Sequence, residues 1–92
     1  MKYNVVMTPS FKKDLKLSIK RGRNIDRLKA VVDMLQDGLT PPAVYKDHQL
    51  KGNFNKYREL HIEPDWLLIY SRVKDKLILT LIRTGTHSDL LE

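Results

Sequence analysis

Three histidines carry most of the chemical potential of this chain: His48, His61 and His87, all in its C-terminal half. Two have a carboxylate close by in sequence, as Asp47–His48 and His61-Ile62-Glu63, and Asp65 follows two residues later. Arg83 stands four residues before His87 in "RTGTH". A zinc site would need three or four ligands and usually shows closely spaced pairs, whereas the gaps here are 13 and 26 residues. A serine nucleophile has no G-x-S-x-G turn to sit on, and Ser88 lacks that context. Metal-free cleavage of RNA fits the set better. RNA supplies its own nucleophile, the 2′-hydroxyl, so the protein must remove one proton, deliver another and steady the phosphate. Imidazole suits both transfers because its free pKa, about 6.5, lies near working pH. Guanidinium suits the phosphate through its permanently charged, forked donors.

The elements that must hold these residues can be read from the pattern around them. "YNVVM", residues 3–7, reads as a strand, and Thr8-Pro9 then supplies an N-cap and a first-turn proline. Phe11, Leu15 and Ile19 recur every four residues on a helix that stops at Gly22. Asn24 caps a second helix with Ile25, Leu28, Val32 and Leu35 on one face, giving a helical hairpin. A long connection, "LTPPAVYKDHQLKGNFNK", shows no sustained period, and long loops in small proteins tend to be functional. "YRELHIE" alternates, placing Leu60 and Ile62 opposite Glu59, His61 and Glu63. After the turn at Pro64-Asp65, "WLLIYSR" and "KLILTLIR" read as central strands covered on both faces. The expectation is one α+β domain over residues 1–92, ordered β-α-α-β-β-β, with the hairpin on a mainly antiparallel twisted sheet. A meander of the last three strands would gather His61, Asp65, Arg83 and His87 at one edge.

Composition narrows the partners. The 92 residues carry 17 Lys and Arg against 11 Asp and Glu, a net charge of +6, and no cysteine. Disulfides and thiolate metal sites are excluded. No run approaches the ~20 apolar residues of a membrane span, and the N-terminal apolar run is too short for a signal peptide. A cytoplasmic protein with no membrane role is expected. Residues 12–23, "KKDLKLSIKRGR", hold six bases and one acid, which points to an anionic partner.

Three ordered stretches, "AVYKDHQLKGNF", "YRELHIEPDWLLIY" and "IRTGTHSDLL", closely resemble the YafQ branch of the RelE-like bacterial toxins. The resemblance runs from about Pro42 to Leu91, with "FKKDLK" a weaker match upstream. It implies a RelE-like fold and a ribonuclease that enters the ribosomal A site and cuts mRNA there, without a cofactor. It also implies a cognate acidic antitoxin, and contact with operator DNA only through that antitoxin. By the same resemblance His48, His61, Asp65, Arg83 and His87 form the catalytic centre. Arg83 would clamp the scissile phosphate, Gly85 would let the chain turn, and His87 would protonate the leaving oxygen. His48, His61 and Asp65 would activate the 2′-hydroxyl. Lys12, Lys13 and Lys16 are expected on ribosomal RNA, and Lys46 and Lys51 on RNA backbone. Trp66 matches a residue beside the centre, where a base platform competes with a place in the core. Leu91 stands where the pattern usually carries an aromatic. Two other functions suit the same scaffold: a ParE-like toxin that binds gyrase without chemistry, and an RNA-binding module without turnover.

Overall fold

Strand β1 (Asn4–Met7) leads through Thr8 into helix α1 (Pro9–Lys20). The Thr8 hydroxyl accepts from the Phe11 amide at 2.9 Å and donates to the Ile82 carbonyl at 2.7 Å, so one side chain caps the helix and ties it to a distant strand. Gly22, at φ +76, takes the left-handed turn that ends the first helix. Asn24 then caps α2 (Ile25–Gln36) by accepting from the Asp26 amide. The computed structural model describes residues 2–91, apart from the side chain of Leu91.

Five strands form one sheet in the order β1-β5-β4-β3-β2, where β2 is His48–Gln49, β3 is Arg58–Glu63, β4 is Trp66–Val73 and β5 is Ile78–Gly85. The last three strands are the expected antiparallel meander. β1 pairs with β5 in parallel, Asn4 opposite Ile78 through Met7 opposite Leu81. The two helices pack on one face, where Phe11, Leu28, Val31 and Leu35 meet Leu60, Ile62, Trp66, Leu68, Tyr70, Leu79 and Leu81. Arg72 donates to the carbonyls of Leu35 and Leu39, both at 2.9 Å, and so fastens the C-terminal end of α2 to β4.

Four local expectations are corrected. Ile19 is 56% exposed, and Ser18 takes the inward place instead. Two four-residue steps rotate a side chain about 80° off the stripe, while a seven-residue step from Phe11 returns to it within about 20°. The same geometry puts Val31, rather than Val32, at the centre of the buried face of α2. The long connection is not structureless: it contains two short 3₁₀ turns and β2. Only β4 is buried on both faces over Trp66–Tyr70, whereas β5 alternates, with Leu79 and Leu81 buried and Ile78, Thr80 and Ile82 half-buried. A further short helix, α3 (His87–Leu91), follows β5.

Candidate active site

The turn between β3 and β4 and the end of β5 bring three of the expected side chains together. His61 lies opposite Leu67, and Leu67 opposite Gly85, so the His61 end of β3 and the start of α3 share one edge of the sheet. The His61 and His87 ring centroids are 5.6 Å apart with the rings tilted at 56°. Asp65 Oδ1 accepts from the His87 backbone amide at 3.0 Å and meets His87 Nδ1 at 2.6 Å. One carboxylate therefore fixes both the start of α3 and the plane of its imidazole. Those two bonds from His87 hold the Asp65 carboxyl below its ordinary range, backbone amide first.

The second nitrogen of each ring is left for chemistry. His61 Nδ1 lies 3.2 Å from the Pro64 carbonyl. A carbonyl only accepts, so Nδ1 carries the proton and neutral His61 presents a bare Nε2. His87, held at Nδ1 by a carboxylate, presents Nε2 in the same way.

α3 is placed by a reciprocal cap. The Thr86 amide donates to Asp89 Oδ2 at 2.9 Å, and the Asp89 amide donates to the Thr86 hydroxyl at 3.0 Å. Arg21, at the end of α1, donates to the same Asp89 oxygen at 2.8 Å. The Arg21 and Thr86 contacts pull the Asp89 carboxyl down to about 2. Gly85 is required by proximity, since a Cβ there would lie 2.9 Å from Asp89 Oδ2. The turn expected at Gly85 is thus a close approach between strand end and helix.

Arg83, two residues before Gly85, is held from the helix side. Its Nε donates to Asp14 Oδ2 at 2.6 Å and its Nη2 to Asp14 Oδ1 at 3.1 Å. Asp14 also accepts from the Thr84 amide at 3.1 Å. The Nη1 edge of the guanidinium makes no bond among the described residues.

His48 is set by another group of contacts. Lys46, in left-handed backbone at φ +51, turns its carbonyl to His48 Nδ1 at 2.8 Å. His48 Nε2 lies 3.5 Å from Glu59 Oε1 on the neighbouring strand. Glu59 is opposite Ile69, and Ile69 opposite Arg83, so His48 and Arg83 sit at two ends of one cross-strand row. Asp47, next to His48 in sequence, does not pair with it. It accepts from Arg58 Nε and Nη2 at 3.0 and 2.7 Å and from the Tyr70 hydroxyl at 2.5 Å. Burial, then the Asp47 contact, push the Tyr70 phenol well above its ordinary range, so Tyr70 serves as an anchor for the loop. Glu63 likewise turns from His61 to Arg23 and Arg27, each at 3.6 Å.

Of the two readings of Trp66, the place in the core holds and the base platform does not. Trp66 is fully buried in the core, with the Arg23 guanidinium over its ring at 5.2 Å. As the first residue of β4 it sits over the helical layer, and its ring cannot be reached by a base. Lys12, Lys13, Lys16, Lys46 and Lys51 are all exposed, the first three on one solvent side of α1. Leu91 closes α3, and its side chain lies outside the described residues. Sequence reasoning missed Asp14 and Glu59. Asp14 looked like the one acid in a basic run, and Glu59 like an outward strand residue. Only cross-strand register and the helix docking reveal their partners. Among the described residues no group of three His, Asp or Glu side chains is arranged to hold a metal ion.

Comparison with known proteins places this geometry in context. Residues 3–92 match the family described as "Bacterial toxin of type II toxin-antitoxin system, YafQ". The mRNA interferase toxin YafQ of Escherichia coli K12 is 48% identical over 81 residues, 87% of this chain and 86% of that one. The solved E. coli DinJ–YafQ toxin–antitoxin complex superposes with a TM-score of 0.92 at 39% identity, covering 100% of both chains. A metal-bound toxin from Helicobacter pylori superposes with a TM-score of 0.89 at 38% identity, covering 99% of this chain and 100% of that one.

Proposed function

Since this chain belongs to the YafQ family of bacterial type II toxins, we propose that it is an endoribonuclease that cuts mRNA in the ribosomal A site and is silenced by a cognate antitoxin. The observation that carries the chemistry is the pair of imidazoles 5.6 Å apart, one tied to a carbonyl and the other to a carboxylate. His61 Nε2 takes the proton of the 2′-hydroxyl, whose oxygen then attacks the adjacent phosphorus. The bond from phosphorus to the 5′-oxygen breaks, and the His87 imidazolium donates its Nε2 proton to that oxygen. The products are a 2′,3′-cyclic phosphate and a 5′-hydroxyl, with atoms and charge in balance. Asp65 orients His87 through its backbone amide and its ring.

Arg83 binds the phosphate through its Nη1 edge, because Asp14 already holds the Nε and Nη2 edge. His48, with Glu59 beside it, places a further imidazole at the far end of the same row. Lys12, Lys13 and Lys16 dock ribosomal RNA phosphates, and Lys46 and Lys51 follow the message backbone. The RNA's own hydroxyl is the nucleophile, so the chemical step needs no metal. The H. pylori relative was solved metal-bound, and a metal seated here on the imidazole nitrogens would take the lone pairs that move protons. Added zinc or copper is therefore expected to inhibit, and metal analysis of active protein to find no stoichiometric ion.

The deciding experiment adds the purified chain to a translating extract and maps mRNA 5′ ends. New 5′-hydroxyl ends within ribosome-covered codons are expected. An extract whose mRNA stays intact while the protein binds ribosomes would overturn the nuclease reading.

A further inference from the structure

β2 pairs with two residues of β3, Arg58 and Glu59, so among the described residues the outer edge of β3 from Leu60 to Glu63 has no strand beside it. A cleft of about 550 Å³ occupies that edge, between β3, the turn at Val44–Lys46 and the side of α2. His61, the proposed base, lines it together with Glu63, Arg27, Tyr45, Val44 and Pro64. Val44 is 77% exposed and adds apolar surface to the cleft. Lys46 closes the rim, and its carbonyl is the one that orients His48.

We infer that this cleft is a nucleobase subsite, receiving the base of a nucleotide next to the scissile bond and selecting bases that carry an amino group on the Watson–Crick edge. The inference rests on the ribonuclease reading above and deepens it. Three observations favour a nucleotide. His61 of the imidazole pair lines the cleft, so a base inside it keeps its own ribose and phosphate near His61. It combines an aromatic side chain, apolar surface and a few polar groups, as single-stranded bases need for stacking and edge recognition. Arg27 and Lys46 make the rim attractive to a polyanion.

Glu63 supplies the selection. Both of its arginine contacts are 3.6 Å long, beyond hydrogen-bond reach, so they hold the carboxylate in place without consuming its acceptors. A carboxylate accepts and cannot donate. Adenine, cytosine and guanine offer it an exocyclic amino group, and guanine adds N1–H beside its own. Uracil offers no amino group: its N3–H lies between two carbonyl oxygens, so a carboxylate that accepts from N3–H sets its second oxygen against O4 or O2, lone pair to lone pair. With Trp66 sealed in the core, Tyr45 is the ring placed to stack on a base at this edge.

The test uses the full chain and four RNA trinucleotides with 2′-deoxy sugars, which cannot be cut and differ only in the middle base. NMR titration is expected to shift the signals of Ala30, Tyr45 and Ile62, with the uracil-centred probe at least about tenfold weaker than the other three. Glu63→Gln, whose amide can both accept and donate, should shrink that gap to about threefold or less. Tyr45→Leu, which keeps apolar bulk without a π face, should weaken all four probes alike. Equal binding of the four probes by the unaltered chain would overturn the inference, as would shifts confined to the surroundings of His87. The mRNA end-mapping experiment separates the two readings. Cleavage with no cleft shifts removes the subsite alone, and cleft shifts without cleavage remove the nuclease and leave a nucleotide site.

Discussion

At His87 the expected chemistry can be isolated from folding, because the ring is half-exposed and its loss opens no core cavity. His87→Ala should lower the cleavage rate by roughly 10²–10⁴-fold with ribosome binding and thermal stability nearly unchanged; full toxicity in a well-expressed variant would sink the assignment. Asp14 acts one step back. Asp14→Asn should lower the rate at saturating RNA by roughly tenfold or more, since Arg83 loses its charged, two-pronged support. The Michaelis constant should change less, and Asp14→Glu should recover part of the loss; a purely structural Asp14 would instead reduce stability and leave the rate per folded molecule alone. Acid acts on the clamp at the start of α3. Asp65 and Asp89 are both depressed in the fold, so their contribution is complete above the ordinary carboxylate range of about 4 and is lost as pH falls below it, for Asp89 down to about 2. Protection of the Thr86 amide from hydrogen exchange should persist from pH 7 to about 4.5 and fall only below that; its loss near pH 6 would contradict the assignment of the clamp to these carboxylates. Histidine, arginine and Asp65 were legible in the sequence because their chemistry is intrinsic to their type. Asp14 and Glu59 were not, because their importance comes from neighbours 69 residues away in one case and one strand across in the other.

Helix α1 divides its residues between two tasks. Its inner side and its cap belong to stability. Thr8→Ala removes both the cap to Phe11 and the bond to Ile82, and should cost about 1–2 kcal/mol in denaturant unfolding. Its outer side carries the three lysines proposed to meet RNA. Changing Lys12, Lys13 and Lys16 together to Gln should weaken ribosome association and reduce its salt slope by roughly three counterions' worth, while the cut positions stay the same; a changed cut pattern would show that the helix reads the message. The two helices and the β3–β5 meander were legible from period and turn residues. β2 was not, because a two-residue strand has no period to read and exists only through its pairing with Arg58 and Glu59. The parallel pairing of β1 was equally hidden, since four apolar residues look the same in either direction. α3 depends on the Thr86–Asp89 cap, a short T-x-x-D signal in a segment read for its histidine instead.

Over the whole molecule the charge of +6 acts at a distance that no single contact reaches. An acidic antitoxin should therefore associate faster at low salt and slow as ionic strength rises, because the Debye length is only about 8 Å at physiological salt. Its dissociation rate, set by buried apolar contacts, should depend on salt far less. Stopped-flow mixing with the neighbouring gene's product measures both rates, and a salt-independent association rate would remove the electrostatic account. The parallel ladder between β1 and β5 bears on a different matter, the order in which the molecule assembles. Thr8 and Ile82 are 74 residues apart, so the segment that carries α1 cannot dock until nearly all of the meander has formed. Closing so long a loop is entropically costly and typically late in folding. Arg83 receives Asp14 only when that step is complete. The support of Arg83 by Asp14 and the parallel ladder are therefore expected to form together, as consequences of one long loop closure.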